Sequence, residues 1–261
     1  MRIALGVEYD GTQFRGWQSQ ASGVRCVQTE LEAALATVAN QSIQTVCAGR
    51  TDAGVHATAQ VIHFDTTAQR PDHGWVLGCN SNLPKDLGVR WMRPVSADFH
   101  ARFSATGRHY KYLIQDDRVR PTLLRHRVTW TRRRLNAERM DLGAQHLLGK
   151  HDFSSFRSSE CQAHNPVRNI ERLTIDRTGP FVVMDVHANA FLHHMVRNIA
   201  GVLMAVGSGE RPTEWPAYVL DARDRRAGGV TAPAQGLYLV GVHYSKRHDL
   251  PGSGGDLLLL G

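Results

Sequence analysis

The sequence predicts an α+β fold of two related, mixed α/β lobes, with a largely antiparallel sheet and a central cleft. Two observations carry this expectation. A strand-then-helix pattern opens the chain and begins again near residue 105, and hairpin strands in the second half argue against a strictly parallel sheet. A chain of 261 residues, 42% of them hydrophobic, can bury a sizeable core as one large domain or as two smaller ones sharing a cleft. The expected division is an N-terminal lobe over 1–105, a C-terminal lobe over 106–247 and a flexible tail over 248–261.

The opening "RIALGVEY" places Ile3, Leu5, Val7 and Tyr9 on one face at period two, and Asp10-Gly11 ends the strand with turn chemistry. From Val27 to Ala39 the apolar residues Val27, Leu31, Leu35 and Val38 recur at helical spacing among good helix formers. "IQTVC", "AQVIHFDT" and "GVRWMRPV" read as further strands. In the second half "RHYKYLIQ" alternates, with Tyr110, Tyr112 and Ile114 on one face. A helix over Ala137–Leu148 follows, with Asn136 as N-cap and Leu135 positioned to staple onto Met140. "RNIERLTID" and "FVVMDVHAN" form a hairpin about "RTGP". A third helix runs through Met195, Ile199, Leu203 and Val206 to the glycines at 207 and 209, and "GLYLVGVHY" is the last strand.

Composition narrows the function. No apolar run approaches the roughly 18 residues that span a bilayer, so a cytoplasmic protein is expected. The "GSGG" before Leu257 reads as part of a flexible tail. Cys26, Cys47, Cys79 and Cys161 lack a Cys-x-x-Cys pair, which points to free thiols rather than a disulfide framework or zinc ribbon. The net charge is +7, and only four of the 31 basic residues are lysines. Arginine's planar fork suits phosphate, so an anionic partner fits; a genome rich in arginine codons is the plain alternative. Seven arginines, among them Arg132, Arg133 and Arg134, crowd the stretch from Arg118 to Arg134, a candidate phosphate track or else a solvated loop. Leu123, Leu124, Val128 and Trp130 indicate that part of this stretch is a strand with one buried face.

Fourteen histidines raise the question of a metal. His193 and His194 are adjacent and so point apart on a helix, while Cys161 and His164 have no second pair at zinc spacing, so no metal site is expected. A Walker loop, a dinucleotide fingerprint and a Gly-x-Ser-x-Gly elbow are absent from the sequence.

The chemistry then rests on "CAGRTDAGVHA", between two strands. Gly49 and Gly54 permit a tight loop that lifts Arg50, Thr51 and Asp52 from a sheet edge. In an extended backbone Arg50 and Asp52 share a side, and the guanidinium favours an ionised carboxylate, which acts as nucleophile or base in a dry cleft. An Asx-turn aspartate beside a solvated arginine is the plain reading. Arg197, on a helix with an apolar stripe, needs a partner such as Asp52 or snorkels to solvent. Tyr110 is a core residue or a stacking platform for a base.

Seven stretches, in order, carry a resemblance: "EYDGTQFRGWQ", "VQTELEAAL", "AGRTDAGVHA", "FHARFSATGRHYKYLI", "HDFSSFR", "NAFLHHMVRNIAG" and "TAPAQGLYL". Together they resemble the tRNA pseudouridine synthase A family, which isomerises uridines in the anticodon stem-loop at tRNA positions 38, 39 and 40. The resemblance implies the two-lobed pseudouridine synthase fold, a homodimer, tRNA as partner, and neither cofactor nor metal. It places the catalytic nucleophile at Asp52, base displacement at Arg50, packing against the uracil at Tyr110, the carboxylate's basic partner at Arg197 and an apolar pocket wall at Leu237. Two departures stand out. Cys26 replaces the family's common serine before the first helix, which implies a weaker cap, and "CQAHNPVRN" is spelled differently from the usual basic stretch.

Overall fold

The computed structural model describes residues 1–20, 23–252 and 257. The chain divides into two compact units, Met1–Thr106 joined by the C-terminal chain from Tyr238, and Gly107–Leu237. A last strand that chain order groups with the second half is therefore a member of the first unit.

The first unit is built on β1 (Arg2–Tyr9), which lies between β3 (His56–Asp65) and β4 (Leu87–Val95), antiparallel to both. Leu5 faces Ile62 on one side and Met92 on the other. The period-two residues Ile3, Leu5, Val7 and Tyr9 are buried as their alternation requires, and Ala4 on the opposite face is buried too. A short β2 (Val46–Cys47) pairs with β3, and β10 (Leu237–Tyr244) joins β3 in parallel, with Tyr238 opposite His56.

Helix α1 (Val27–Ala39) buries Val27, Leu31, Ala34, Leu35 and Ala39, so Ala39 completes the stripe and Val38 is only half-buried. Cys26 occupies its N-cap without a side-chain cap bond, as the serine-to-cysteine departure implied. A second helix, α2 (Asp72–Asn82), is absent from the sequence expectation, and its composition explains why. It buries only Trp75 and Cys79, and Asn80 ties it to β4 instead: the Asn80 side chain donates to the Val89 carbonyl at 2.9 Å and accepts the Val89 N–H at 2.7 Å.

The second unit is built on β5 (Ala105–Asp116), β9 (Phe181–Ala188), β8 (Val167–Thr178) and β7 (Gly149–Asp152), antiparallel throughout in that spatial order. A three-residue β6 (Thr129–Thr131) adds to β5 in parallel. The expectation of a largely antiparallel sheet thus holds, with parallel pairing at β10 and β6. Tyr110, Tyr112 and Ile114 all point to the buried face of β5. Helix α3 (Ala137–Gln145) starts as predicted: Asn136 Oδ1 accepts the Arg139 N–H at 2.8 Å, with Leu135 and Met140 buried.

Helix α4 (Met195–Gly207) is buried nearly all round, which only a core helix tolerates. Gly201 lets the chain at Val230 lie directly on it; a Cβ there would sit 1.9 Å from the Val230 carbonyl oxygen. Helix α5 (Trp215–Ala222), also not predicted, starts with proline near its N-terminus and is too short for periodicity to reveal.

Candidate functional site

The Arg-Thr-Asp loop sits in the first unit between β2 and β3, and its backbone is held from several directions. Fully buried Gln60 of β3 brackets Gly49, donating to its carbonyl at 2.6 Å and accepting its N–H at 3.4 Å. Thr51 is turned inward, its hydroxyl 2.8 Å from the buried Tyr9 hydroxyl, while its carbonyl accepts the Trp17 N–H at 3.0 Å. The Val55 N–H closes a turn onto the Asp52 carbonyl at 3.1 Å, and the Gly54 N–H reaches the Phe14 carbonyl at 3.3 Å.

In this turn Gly54 is the third residue, with φ +79°, the left-handed position at which glycine is favoured. Gly49 is not left-handed; the second such glycine at the loop is Gly16, with φ +94°. A Cβ on Gly16 would come within 2.8 Å of the Thr51 carbonyl oxygen, so the "FRGWQ" segment lies directly on the Arg-Thr-Asp loop. The expectation that Gly49 and Gly54 together frame the aspartate is therefore corrected: Gly54 and Gly16 do so, and Gly49 is held through Gln60.

Burial alternates along the loop. Arg50 is exposed, Thr51 buried and Asp52 half-buried, so the arginine and the aspartate project away from the core that anchors the threonine between them. Buried Cys47 precedes them. Burial pushes its thiol up to about 12 while Arg50 and Arg102 pull the other way, so the thiol stays protonated at neutral pH.

The second unit carries the other predicted residues. Tyr110 lies on β5 opposite Val186, only 8% exposed, its ring meeting Phe191 edge-on at 5.1 Å. Arg197, half-buried on α4, donates from Nε to the Ala232 carbonyl at 2.8 Å, and the Ala232 N–H returns to the Arg197 carbonyl at 3.1 Å. Leu237, 5% exposed, starts β10 just past a single 3-10 turn at Ala234–Gly236.

Next to Arg197 in the chain is Asn198, a residue that sequence reasoning did not single out. It is buried, donates to the Phe156 carbonyl at 2.7 Å, and accepts from Thr231 at 2.6 Å and Arg225 at 3.0 Å. One amide thereby ties "HDFSSFR", "MVRN" and "TAPAQGLYL" together. Its signal in the sequence was an amide that, with Arg197, interrupts a helix otherwise without polar side chains.

Two expectations change. His193 and His194 do not lie on a helix pointing apart. They form the turn before α4, with His194 left-handed at φ 62° and the two rings 4.1 Å apart. Apolar periodicity shows where a helix is but not which residue begins it.

The arginine stretch is more engaged than its charge suggested. Arg133 pairs with Glu210, and Arg134 reaches Asp116 at 3.3 Å. Asp116 is also held by a two-pronged Arg177 at 2.7 and 2.9 Å and by the Leu135 N–H at 2.8 Å. Burial works against this carboxylate's charge, but Arg177, the Leu135 amide and Arg134 outweigh it and hold its pKa below the ordinary range. Arg132 is exposed. Val128 and Thr129 are buried, whereas Leu123 is 91% exposed, so the buried strand face starts later than the aliphatic pattern indicated.

Comparison with known proteins follows this geometry. A family model described as tRNA pseudouridine synthase matches residues 6–104 and 144–245. The chain is 56% identical over 250 residues to the tRNA pseudouridine synthase A of Klebsiella pneumoniae, covering 96% of this chain and 92% of that one. It is 55% identical to that of Pseudomonas aeruginosa, covering 96% and 88%, and 56% identical to that of Nitrosococcus oceani, covering 96% of each.

Proposed function

The chain belongs to the tRNA pseudouridine synthase family, and from that premise we propose that it isomerises uridine to pseudouridine in the anticodon stem-loop of tRNA. It is an isomerase with the pseudouridine synthase fold. The reaction breaks the bond from uracil N1 to ribose C1′, turns the base and joins C5 to C1′; the C5 proton is lost to solvent while N1 takes one up. Atoms balance without any second substrate.

Asp52 is the group we assign to the chemistry, and the observation that carries this is the clamp beneath it. Thr51 is anchored on both its hydroxyl and its carbonyl, and the turn at Gly54 is closed onto the Asp52 carbonyl. A carboxylate on so constrained a backbone loses little entropy when it meets a flipped nucleotide, which is what a positioned nucleophile or base requires. Attack at C1′, attack at C6 and abstraction of the ribose 2′ proton all need this one ionised carboxylate.

A uridine inside a stem-loop must leave its stack first, at a cost of a few kcal/mol. Arg50, exposed two residues before Asp52, is the side chain we assign to the space that the base vacates. Tyr110, Arg197 and Leu237 are assigned to the uracil, the carboxylate and the pocket wall on the strength of the family motifs. Arg132 to Arg134 are assigned to the RNA backbone. The protein is expected to work on tRNA in the cytoplasm as a homodimer, a state that sedimentation measures directly.

The test uses an anticodon stem-loop carrying tritium at uracil C5. Isomerisation releases the label to water, so catalytic release by the purified protein is expected. A preparation that binds the RNA and releases none overturns the reading.

A further inference from the structure

We propose that Phe103 is a stacking platform for an unpaired nucleotide of the RNA substrate, with Arg102 as its phosphate contact. The inference rests on the tRNA reading above and adds a recognition site to it.

Phe103 is 74% exposed, yet it stands on an ordered column of rings. Its ring lies at 28° to that of His100 with centroids 4.3 Å apart, and His100 in turn meets His63 at 4.8 Å. His63 is buried, so the column runs from the interior of the first unit to its surface.

The backbone beneath is fixed as firmly. His100 Nδ1 accepts the N–H groups of Arg102 and Phe103 at 3.2 and 3.1 Å. The His63 ring nitrogen accepts the Ala101 N–H at 3.1 Å, and Tyr244 donates its hydroxyl to the Ala101 carbonyl at 2.6 Å. A single exposed apolar side chain is ordinary on a protein surface. An exposed aromatic ring preorganised on a second ring, in a loop pinned by four hydrogen bonds, is the arrangement that base stacking needs, because little order remains to be imposed on binding.

Charge selects the partner. The Arg102 guanidinium sits over the Phe103 ring at 5.5 Å. Arg102 and Arg50 both lower the pKa of the buried Cys47 thiol, and both belong to the first unit. An aromatic face with arginines around it suits a nucleotide, whose base stacks while its phosphate takes the guanidinium.

The test compares wild type, Phe103→Ala and Phe103→Trp on the tritiated stem-loop, with binding followed by anisotropy of the labelled RNA. Stacking of one base predicts that Phe103→Ala raises KM and Kd about tenfold, with the loss falling on KM rather than kcat, and that Phe103→Trp restores both. Unchanged thermal unfolding is expected of so exposed a position. Unaltered KM and Kd in Phe103→Ala overturn the proposal. So does a change of oligomeric state in that variant without loss of RNA affinity, which would make the ring a contact between copies. Failure of the tRNA reading is visible separately, as wild-type protein that releases no tritium.

Discussion

The hydroxyls of Tyr9 and Thr51 lie 2.8 Å apart in the interior of the first unit, joining the end of the first strand to the residue beside Asp52. The bond holds the Thr51 side chain turned inward, alongside the Trp17 N–H that meets its carbonyl at 3.0 Å. Tyr9→Phe leaves a buried threonine hydroxyl short of a partner, at about 1–3 kcal/mol of stability. The expected kinetic signature is a kcat lowered about tenfold with KM little changed. Thr51→Ser, which retains the hydroxyl, should stay close to wild type, whereas Thr51→Val should resemble Tyr9→Phe. Steady-state tritium release on the three variants checks this.

Asp52→Asn preserves shape and removes the charge. The variant is expected to bind the stem-loop with wild-type affinity and to form no pseudouridine. Primer-extension mapping of reacted tRNA reads the outcome, and appreciable product from pure variant would remove Asp52 from its role.

Arg132 is the cleanest probe of the basic segment, since Arg133 is engaged by Glu210 and Arg134 by Asp116. Losing one phosphate contact lowers the slope of log affinity against log salt by about 0.7–0.9. Arg132→Ala should show that change across a salt titration of tRNA binding. An unaltered slope would mean that this side chain does not meet the backbone.

His63 gives the first unit an acid limb. Burial, aided by Arg2 and His100 and opposed by Asp65, holds its imidazole down at about 4, against an ordinary 6.5. Between those values the unfolded chain binds the extra proton, so stability rises with pH from about 4 to 6.5 and is level above. The whole limb amounts to at most about 3 kcal/mol. Urea unfolding between pH 4.5 and 7 should show a shallower slope for His63→Gln than for wild type.

Gly201→Ala tests the support under Arg197. A methyl group there meets the Val230 carbonyl and displaces the segment whose Ala232 exchanges two hydrogen bonds with Arg197. Overpacking of this kind costs about 1–3 kcal/mol. Urea unfolding should register that loss, together with a lower kcat for tritium release.

Much of the fold was legible because periodicity is local. Strands β1, β5, β8 and β9 and helices α1, α3 and α4 announce themselves within windows of about ten residues. Helix α2 stayed hidden because it buries two side chains and relies on Asn80 for its attachment. The turn placement of His193 and His194 stayed hidden because a left-handed residue before a helix leaves no mark in a hydrophobic pattern.

By itself the sequence determined the strongly periodic elements, the residues of the Arg-Thr-Asp loop and, through seven ordered motifs, the family. Only the tertiary structure decided how Asp52 is held. Tyr9, Gly16 and Gln60 all bear on its loop, and Tyr9 and Thr51 stand 42 positions apart in the chain. Hydrogen bonds and close backbone approach depend on distance in space, and no pattern of neighbours along the chain encodes them. The same reason assigned the glycines: both Gly54 and Gly16 are left-handed, and Gly16 is further held to glycine by the Thr51 carbonyl oxygen that the fold brings against it.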